Sequence, residues 1–275
     1  PFRVLPDWRL DDLMISFSVP GGGVGPHIDQ YDVFIIQGMG SRRWRVGDKL
    51  PMRQFCPHPA LLHVDPFPPI IDEDLQPGDI LYIPPGFPHD GITHETALNY
   101  SVGFRGPNGR DLISSFADYV LENDLGGEHY SDPDLTCREH PGRVEEYELE
   151  RLRGMMIDMI RQPEDFKQWF GSFVTTPRHE LDIAPAEPAY EEEEVVDALL
   201  GGEKLSRLSG LRVLHIGDSF FVHSEQLDTT DAEALDALCR YTSLGQEELG
   251  SGLQNPAFVS ELTRLINQGY WYFEE

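Results

Sequence analysis

From residue 10 to about residue 105 the chain is a run of short β-rich segments punctuated by glycine and proline, with no helical spacing between them. That feature restricts this part to all-β architectures, because short strands without intervening helices must pack sheet on sheet or close into a barrel. Leu13, Ile15, Phe17 and Val19 alternate with Asp12, Met14, Ser16 and Ser18, a period-2 pattern. Tyr31–Gln37, Arg42–Val46, Asp79–Ile83 and Leu98–Phe104 are rich in Val, Ile, Phe and Tyr. Gly21-Gly22-Gly23, Gly38-Met39-Gly40 and Pro84-Pro85-Gly86 mark turns between them.

The periodicity changes near Gly106-Pro107-Asn108. Leu112, Phe116, Tyr119 and Val120 fall at helical spacing, as do Leu149, Leu152, Met156 and Met159 before Pro163 interrupts them. Residues 109–175 are therefore expected to be helical. The proline-rich, acidic stretch 177–190 reads as a linker. Beyond it the pattern predicts a helix at Val195–Leu200 and a hairpin of Leu211–Ile216 with Ser219–His223 through Gly217-Asp218. Helices around Ala232–Tyr241 and Pro256–Gln268 complete what resembles a small winged-helix module. Glu191–Glu194 sits at the start of the first of these helices, where carboxylates favour the positive end of the helix dipole.

Charge excludes several functions. The chain carries 48 Asp+Glu against 21 Lys+Arg, a formal net charge of −27. From Glu191 to Glu275 there are five basic residues and 17 acidic ones, a net charge of −12. Duplex binding draws most of its affinity from phosphate neutralisation, so no direct nucleic-acid binding is expected of the winged-helix segment. No apolar run approaches a membrane span. Hydrophobic residues at 40% and aromatics at 11% fit a folded globule. The odd, widely spaced cysteines Cys56, Cys137 and Cys239 are expected to be reduced thiols of a cytoplasmic protein. The chain opens at Pro1 with neither a methionine nor a signal-peptide pattern, and the expectation is a fragment whose true N-terminus lies upstream.

The chemistry-bearing stretch is Gly21-Gly22-Gly23-Val24-Gly25-Pro26-His27-Ile28-Asp29. On a strand, His27 and Asp29 point to one face. Gly78-Asp79 opens an apolar strand that ends in Pro84-Pro85-Gly86 and delivers His89. Two histidines and a carboxylate form the facial triad of non-haem Fe(II) oxygenases. His94 is the rival third ligand. Such a site commonly takes 2-oxoglutarate, whose distal carboxylate needs a buried cation. In Arg42-Arg43-Trp44-Arg45-Val46, period 2 puts Arg42 on the inward Trp44/Val46 face and Arg43 and Arg45 outward. Ser16 offers a hydroxyl to the same carboxylate, and Asn99 and Ser101 share a face of the last strand. No catalytic residue beyond the metal ligands and no substrate-binding residue is assigned. Asp32 and Asp90 lie near the metal motif in sequence, and neither is assigned a role.

Together His27-x-Asp29, Gly40-x-Arg42-x-Trp44 and Gly78-Asp79 through His89 resemble the JmjC-type 2-oxoglutarate oxygenases, and more narrowly the bacterial ribosomal oxygenases. The resemblance runs through Asn99–Phe104, the helical middle and Phe166–Phe170 to Gly269-Tyr270-Trp271, nearly the whole chain. It implies an α+β protein: a double-stranded β-helix, cupin or jelly-roll-like, over 1–108, a helical dimerisation region over 109–176 and a winged-helix-like domain over 177–275. It implies Fe(II) held by His27, Asp29 and His89, 2-oxoglutarate bound by Arg42 with help from Ser16, and O₂ as cosubstrate. The implied reaction hydroxylates an arginine side chain of a basic ribosomal protein, number sixteen of the large subunit, and the implied assembly is a homodimer. Family members carry a longer N-terminal segment, which bears on the outer sheet and not on the metal motif.

Three other readings compete. A cupin-like metal dioxygenase acting on a small molecule keeps the triad but leaves Arg42 without a purpose. A metal-free protein-binding scaffold would not need the triad at all. A lysine demethylase is chemically close and would release formaldehyde.

Overall fold

Alternating burial along the strands builds the first of two units, Pro1–Pro107 and Asn108–Glu275, in a computed structural model that describes residues 5–58, 61–228 and 231–274. Its strands are β1 (Leu10–Ser18), β2 (His27–Ile28), β3 (Asp32–Met39), β4 (Arg42–Gly47), β5 (Gln54–His58), β6 (Leu61–Val64), β7 (Pro69–Leu75), β8 (Ile80–Ile83), β9 (Pro88–Thr93) and β10 (Ala97–Phe104). They pair antiparallel into a four-stranded sheet β1-β10-β3-β8 and a six-stranded sheet β5-β6-β2-β9-β4-β7. Val33, Ile35, Leu81 and Ile83 of the first sheet meet Trp44 and Val46 of the second in one buried cluster, the jelly-roll arrangement expected. Arg42 lies on that buried face, while Arg43 turns outward to an ion pair with Asp72.

In β1 the faces are reversed from the usual rule. Leu13, Ile15 and Phe17 are 59%, 59% and 66% exposed, and Ser16 sits directly opposite the buried Asn99 of β10. Alternation fixes which residues share a side, but the neighbouring strands decide which side is inside. Beside β10, the β3 register slips at Gly38, so that Gln37 opposes Asn99 and Met39 opposes Leu98.

The second unit opens with α1 (Gly109–Glu122), whose cap residue Asn108 accepts from the backbone N–H groups of Arg110 and Asp111. After α2 (Glu146–Arg161), Pro163 occupies the first turn of α3 (Pro163–Thr175), where its missing N–H costs nothing. The expectation that 109–175 is helical fails between the first two, because residues 123–145 are irregular. Arg138 bonding Tyr147 and Glu148, with Arg151 bonding Asp132, fixes that loop to α2.

The winged helix comprises α4 (Glu192–Leu200), β11 (Leu205–Arg207), β12 (Val213–Ile216), β13 (Ser219–Val222), β14 (Glu225–Leu227), α5 (Ala232–Arg240), β15 (Ser243–Leu244), α6 (Gln246–Leu249), α7 (Pro256–Asn267) and β16 (Trp271–Phe273). The strands form sheets β12-β13-β14 and β15-β11-β16. Val195, Leu199, Leu205, Leu235, Leu262 and Trp271 anchor its core. The Glu191 N–H donates to Glu194 at 2.9 Å, so the acidic run caps α4. Residues 177–190 are no free linker. Leu181 and Ile183 pack on this core, and the Asn267 amide brackets Tyr190, accepting from its N–H at 2.8 Å and donating to its carbonyl at 3.0 Å. The periodicity of apolar residues could not reveal this, because an irregular segment has none. No helix among the described residues is long and apolar enough to cross a membrane.

Candidate metal centre

Two short strands and a turn assemble the site. Gly25 takes the left-handed backbone conformation, φ +81°, and turns the chain into β2. There His27 pairs with His63 on one side and with His89 on the other. The strand stops at Ile28, so Asp29 stands one residue past its end. The Pro84-Pro85-Gly86 turn comes back alongside, and the Gly86 N–H donates to the Asp29 carbonyl at 2.8 Å. That bond ties the loop before β9 to the residue after β2. His89 is the second residue of β9 rather than part of the turn.

The three side chains point at a common volume. Ligand atoms of His27, Asp29 and His89 lie within 4.8 Å of one another, and Asp29 Oδ2 is 3.5 Å from His89 Nε2. Each histidine is oriented through its other nitrogen. His27 Nδ1 lies 2.9 Å from the Gly25 carbonyl and His89 Nδ1 lies 3.2 Å from the Phe87 carbonyl. A carbonyl only accepts, so both Nδ1 atoms carry a proton, and Nε2 is in each ring the nitrogen left to face a metal. Burial, and then the neighbouring His89, pushes the His27 imidazolium below its ordinary range. Burial pushes the Asp29 carboxyl upward, but the hydrogen bond and charge of His89, with His27 and Tyr31, hold it below the ordinary value. The set is two imidazoles and one ionised carboxylate. That donor set fits a divalent ion such as Fe(II) with open positions.

Arg42 supplies the second half of the site. Its guanidinium is buried, lies 4.6 Å from the Trp44 ring centroid, and donates to the Gly91 carbonyl at 3.1 Å and to Asn99 Oδ1 at 3.4 Å. Its Nε has no hydrogen-bond partner among the described residues. Burial lowers the Arg42 pKa and the Asp90 carboxylate opposes that shift. A cation held in a dry site with a donor to spare fits an anionic ligand. Arg42 and Val46 of β4 stand opposite Thr93 and His89 of β9, so the cation and the triad share one face of one sheet.

Ser16 shares the inner face through its pairing with Asn99. His94 stays outside the cluster, bonded to Asp74 at the surface. Asp32 is occupied by Arg9 and by the Tyr82 hydroxyl. Sequence reasoning missed Gln37 and Gly91. The signal for the first was a lone polar residue ending the apolar run Val33–Ile36 before Gly38; a single glycine such as Gly91 carried none.

Comparison with known proteins identifies the family. Residues 1–112 match the JmjC domain and residues 158–272 match the ROXA-like winged helix. Ribosomal protein uL16 3-hydroxylase of Escherichia coli is 63% identical over 274 residues, covering 100% of this chain and 74% of that protein. A probable ribosomal oxygenase of Haemophilus influenzae is 30% identical over 88% of this chain and 64% of its own length. The E. coli ribosomal oxygenase YcfD in complex with cobalt and 2-oxoglutarate superposes with a TM-score of 0.93 at 60% identity, over 100% of this chain and 73% of that one. The chain therefore belongs to the bacterial JmjC-type ribosomal oxygenase family.

Proposed function

We propose that the protein is an Fe(II)- and 2-oxoglutarate-dependent oxygenase that hydroxylates a carbon of an arginine side chain in the large-subunit ribosomal protein uL16. The observation that carries it is the convergence of His27, Asp29 and His89, with both histidines on the same sheet face as a buried arginine that has an unused donor among the described residues. Support for the substrate comes from the relative that is a uL16 3-hydroxylase. A net charge of −27 also favours encounter with a basic ribosomal protein.

His27, Asp29 and His89 would hold the iron, and Arg42, with Ser16 nearby, would receive the distal carboxylate of 2-oxoglutarate. When bound, the metal supplies oxidative decarboxylation of 2-oxoglutarate with O₂, giving succinate and CO₂ and placing one oxygen atom on a substrate C–H. The protein's own work is positioning. The Gly25 and Phe87 carbonyls fix the imidazole tautomers, and Trp44 covers one face of the Arg42 guanidinium. Burial keeps that cation dry, which strengthens its pairing with a carboxylate.

The same reading assigns catalysis to residues 1–108, dimerisation to 109–176 and a winged-helix domain of unassigned role to 177–275, in a cytoplasmic homodimer. Leu149, Leu152, Met156 and Ile160 leave an exposed apolar stripe on α2 that suits a second copy. Incubation with Fe(II), 2-oxoglutarate and uL16 tests the activity by mass spectrometry. The expected product is heavier by one oxygen atom, located on an arginine, with succinate formed in step. Oxygen on any other residue type, or formaldehyde release, overturns the arginine assignment.

A further inference from the structure

We propose that Gln37 is a positioning residue that orients Arg42 through Asn99, and so sets the affinity for 2-oxoglutarate. The inference rests on the assignment of Arg42 to the distal carboxylate. Gln37 is 1% exposed and ends the buried face of β3, where the Gly38 bulge brings two backbone carbonyls onto its side chain. Gln37 Nε2 donates to the Met39 carbonyl at 2.9 Å and to the Gly40 carbonyl at 3.0 Å. On its other side Gln37 Oε1 accepts from Asn99 Nδ2 at 2.5 Å, and Asn99 Oδ1 accepts from Arg42 Nη1 at 3.4 Å.

The direction of this chain is fixed from both ends. Carbonyl oxygens only accept, so the amide nitrogen of Gln37 must face Met39 and Gly40. Its oxygen is then left for Asn99, which must offer nitrogen there and oxygen to Arg42. A guanidinium only donates, so the far end demands the same order. An amide is nearly symmetric in shape, and without Gln37 nothing at Asn99 distinguishes its two ends on that side. A flipped Asn99 would aim Nδ2 at Arg42, two donors face to face, and push the guanidinium off its place over Trp44. Gln37 needs no contact with 2-oxoglutarate to do this. Asn99 and Gln37 also stand in one lateral row with Ser16 across β1, β10 and β3. The relay therefore crosses two strands of the four-stranded sheet, β3 and β10, and meets Arg42 reaching over from the six-stranded one.

The test is titration of the full chain with 2-oxoglutarate in the presence of Mn(II), followed by calorimetry. Gln37→Leu and Gln37→Met both remove every polar contact of the side chain, the second while keeping nearly its length. Each is expected to raise the Kd for 2-oxoglutarate about five- to tenfold, the size of one lost hydrogen bond. Mn(II) affinity should stay within about twofold of wild type, the separation expected of independent sites. The discriminating readout is the cycle with Asn99→Ala: adding Gln37→Leu to Asn99→Ala should cost nothing further. Full additivity in that cycle, or a wild-type Kd in both Gln37 variants while Arg42→Ala abolishes binding, overturns the relay alone. A wild-type Kd in Arg42→Ala overturns the carboxylate assignment and the relay with it. One measurement needs no variant: in the wild-type protein the side-chain amide protons of Gln37 and Asn99 should exchange slowly with solvent by NMR, and rapid exchange at Asn99 overturns the relay.

Discussion

His27 of β2 and His89 of β9 are direct cross-strand partners, with ring centroids 4.1 Å apart and the planes tilted by 59°. This pairing brings a residue from early in the chain to one about sixty positions later without any loop having to place either ring. It also bears on the protonation of His27. A proton on His27 is opposed by burial and by the facing imidazole, so its pKa lies below 6.5. In the metal-free protein the His27 ring is expected to titrate below that value by NMR, and His89→Ala should move it back upward. The sign for stability follows. The unfolded chain takes up the proton at the ordinary value and the folded chain only at a lower pH. The metal-free fold therefore loses stability as pH falls below 6.5. A His27 ring titrating at or above 6.5 would contradict the geometry.

Gly91 makes room for the cation. A methyl group there would stand 2.8 Å from Arg42 Nε, 2.9 Å from Trp44 Cη2 and 3.0 Å from Arg42 Cζ. Both neighbours are buried side chains in a filled core, so neither can move away freely. Gly91→Ala is expected to weaken 2-oxoglutarate binding on the order of tenfold and to cost about 1–3 kcal/mol of stability by overpacking. Metal affinity should hold, since the triad is not displaced. Calorimetry with Mn(II), read beside a thermal melt, checks both, and unchanged 2-oxoglutarate affinity would refute the role given to Gly91.

Much of this site was legible because strands repeat every two residues. Once Trp44 and Val46 are taken as inward, Arg42 must join them, and it does. His27 and Asp29 come together as the spacing predicts, although the strand stops at Ile28 and Asp29 is held just past its end. What period 2 cannot give is the identity of the buried face: in β1 the apolar residues point out and Ser16 points in. Short strands with mixed composition, β5, β6, β7 and β9, fall below what any pattern can resolve. Gln37 was hidden for another reason. Its role depends on a bulge at Gly38 and on the direction of hydrogen bonds, and neither is written in spacing.

Gly171 lies within α3, where alanine would ordinarily raise helix stability by about 1 kcal/mol. Here the added methyl would stand 2.4–2.5 Å from three ring atoms of Phe221, which is fully buried in β13. The glycine lets the helix backbone approach the wing of the winged helix. Overpacking at a rigid aromatic ring costs about 1–3 kcal/mol or more, which outweighs the gain in propensity. Gly171→Ala is therefore expected to lower the melting temperature, whereas Gly154→Ala, with open space around it on α2, should raise it or leave it unchanged. A Gly171→Ala melting temperature at or above wild type would show that α3 does not seat on Phe221 as described.

The three cysteines differ in what surrounds them, and reagent chemistry reads that difference directly. Cys56 and Cys137 are exposed, while burial and the nearby Asp236 carboxylate push the Cys239 thiol up to about 12. Only the thiolate attacks, so at pH 8 about one Cys239 in ten thousand is reactive, and burial hinders access as well. An aromatic disulfide reagent added to the reduced native protein should therefore modify two thiols rapidly. The third should react only after denaturation, and Cys56→Ser should reduce the rapid phase to one. Three rapid thiols in the native state would place Cys239 at the surface and contradict the packing of α5 against the winged-helix core. Fewer than two would mean that Cys56 or Cys137 is covered in solution, and the single variant distinguishes which.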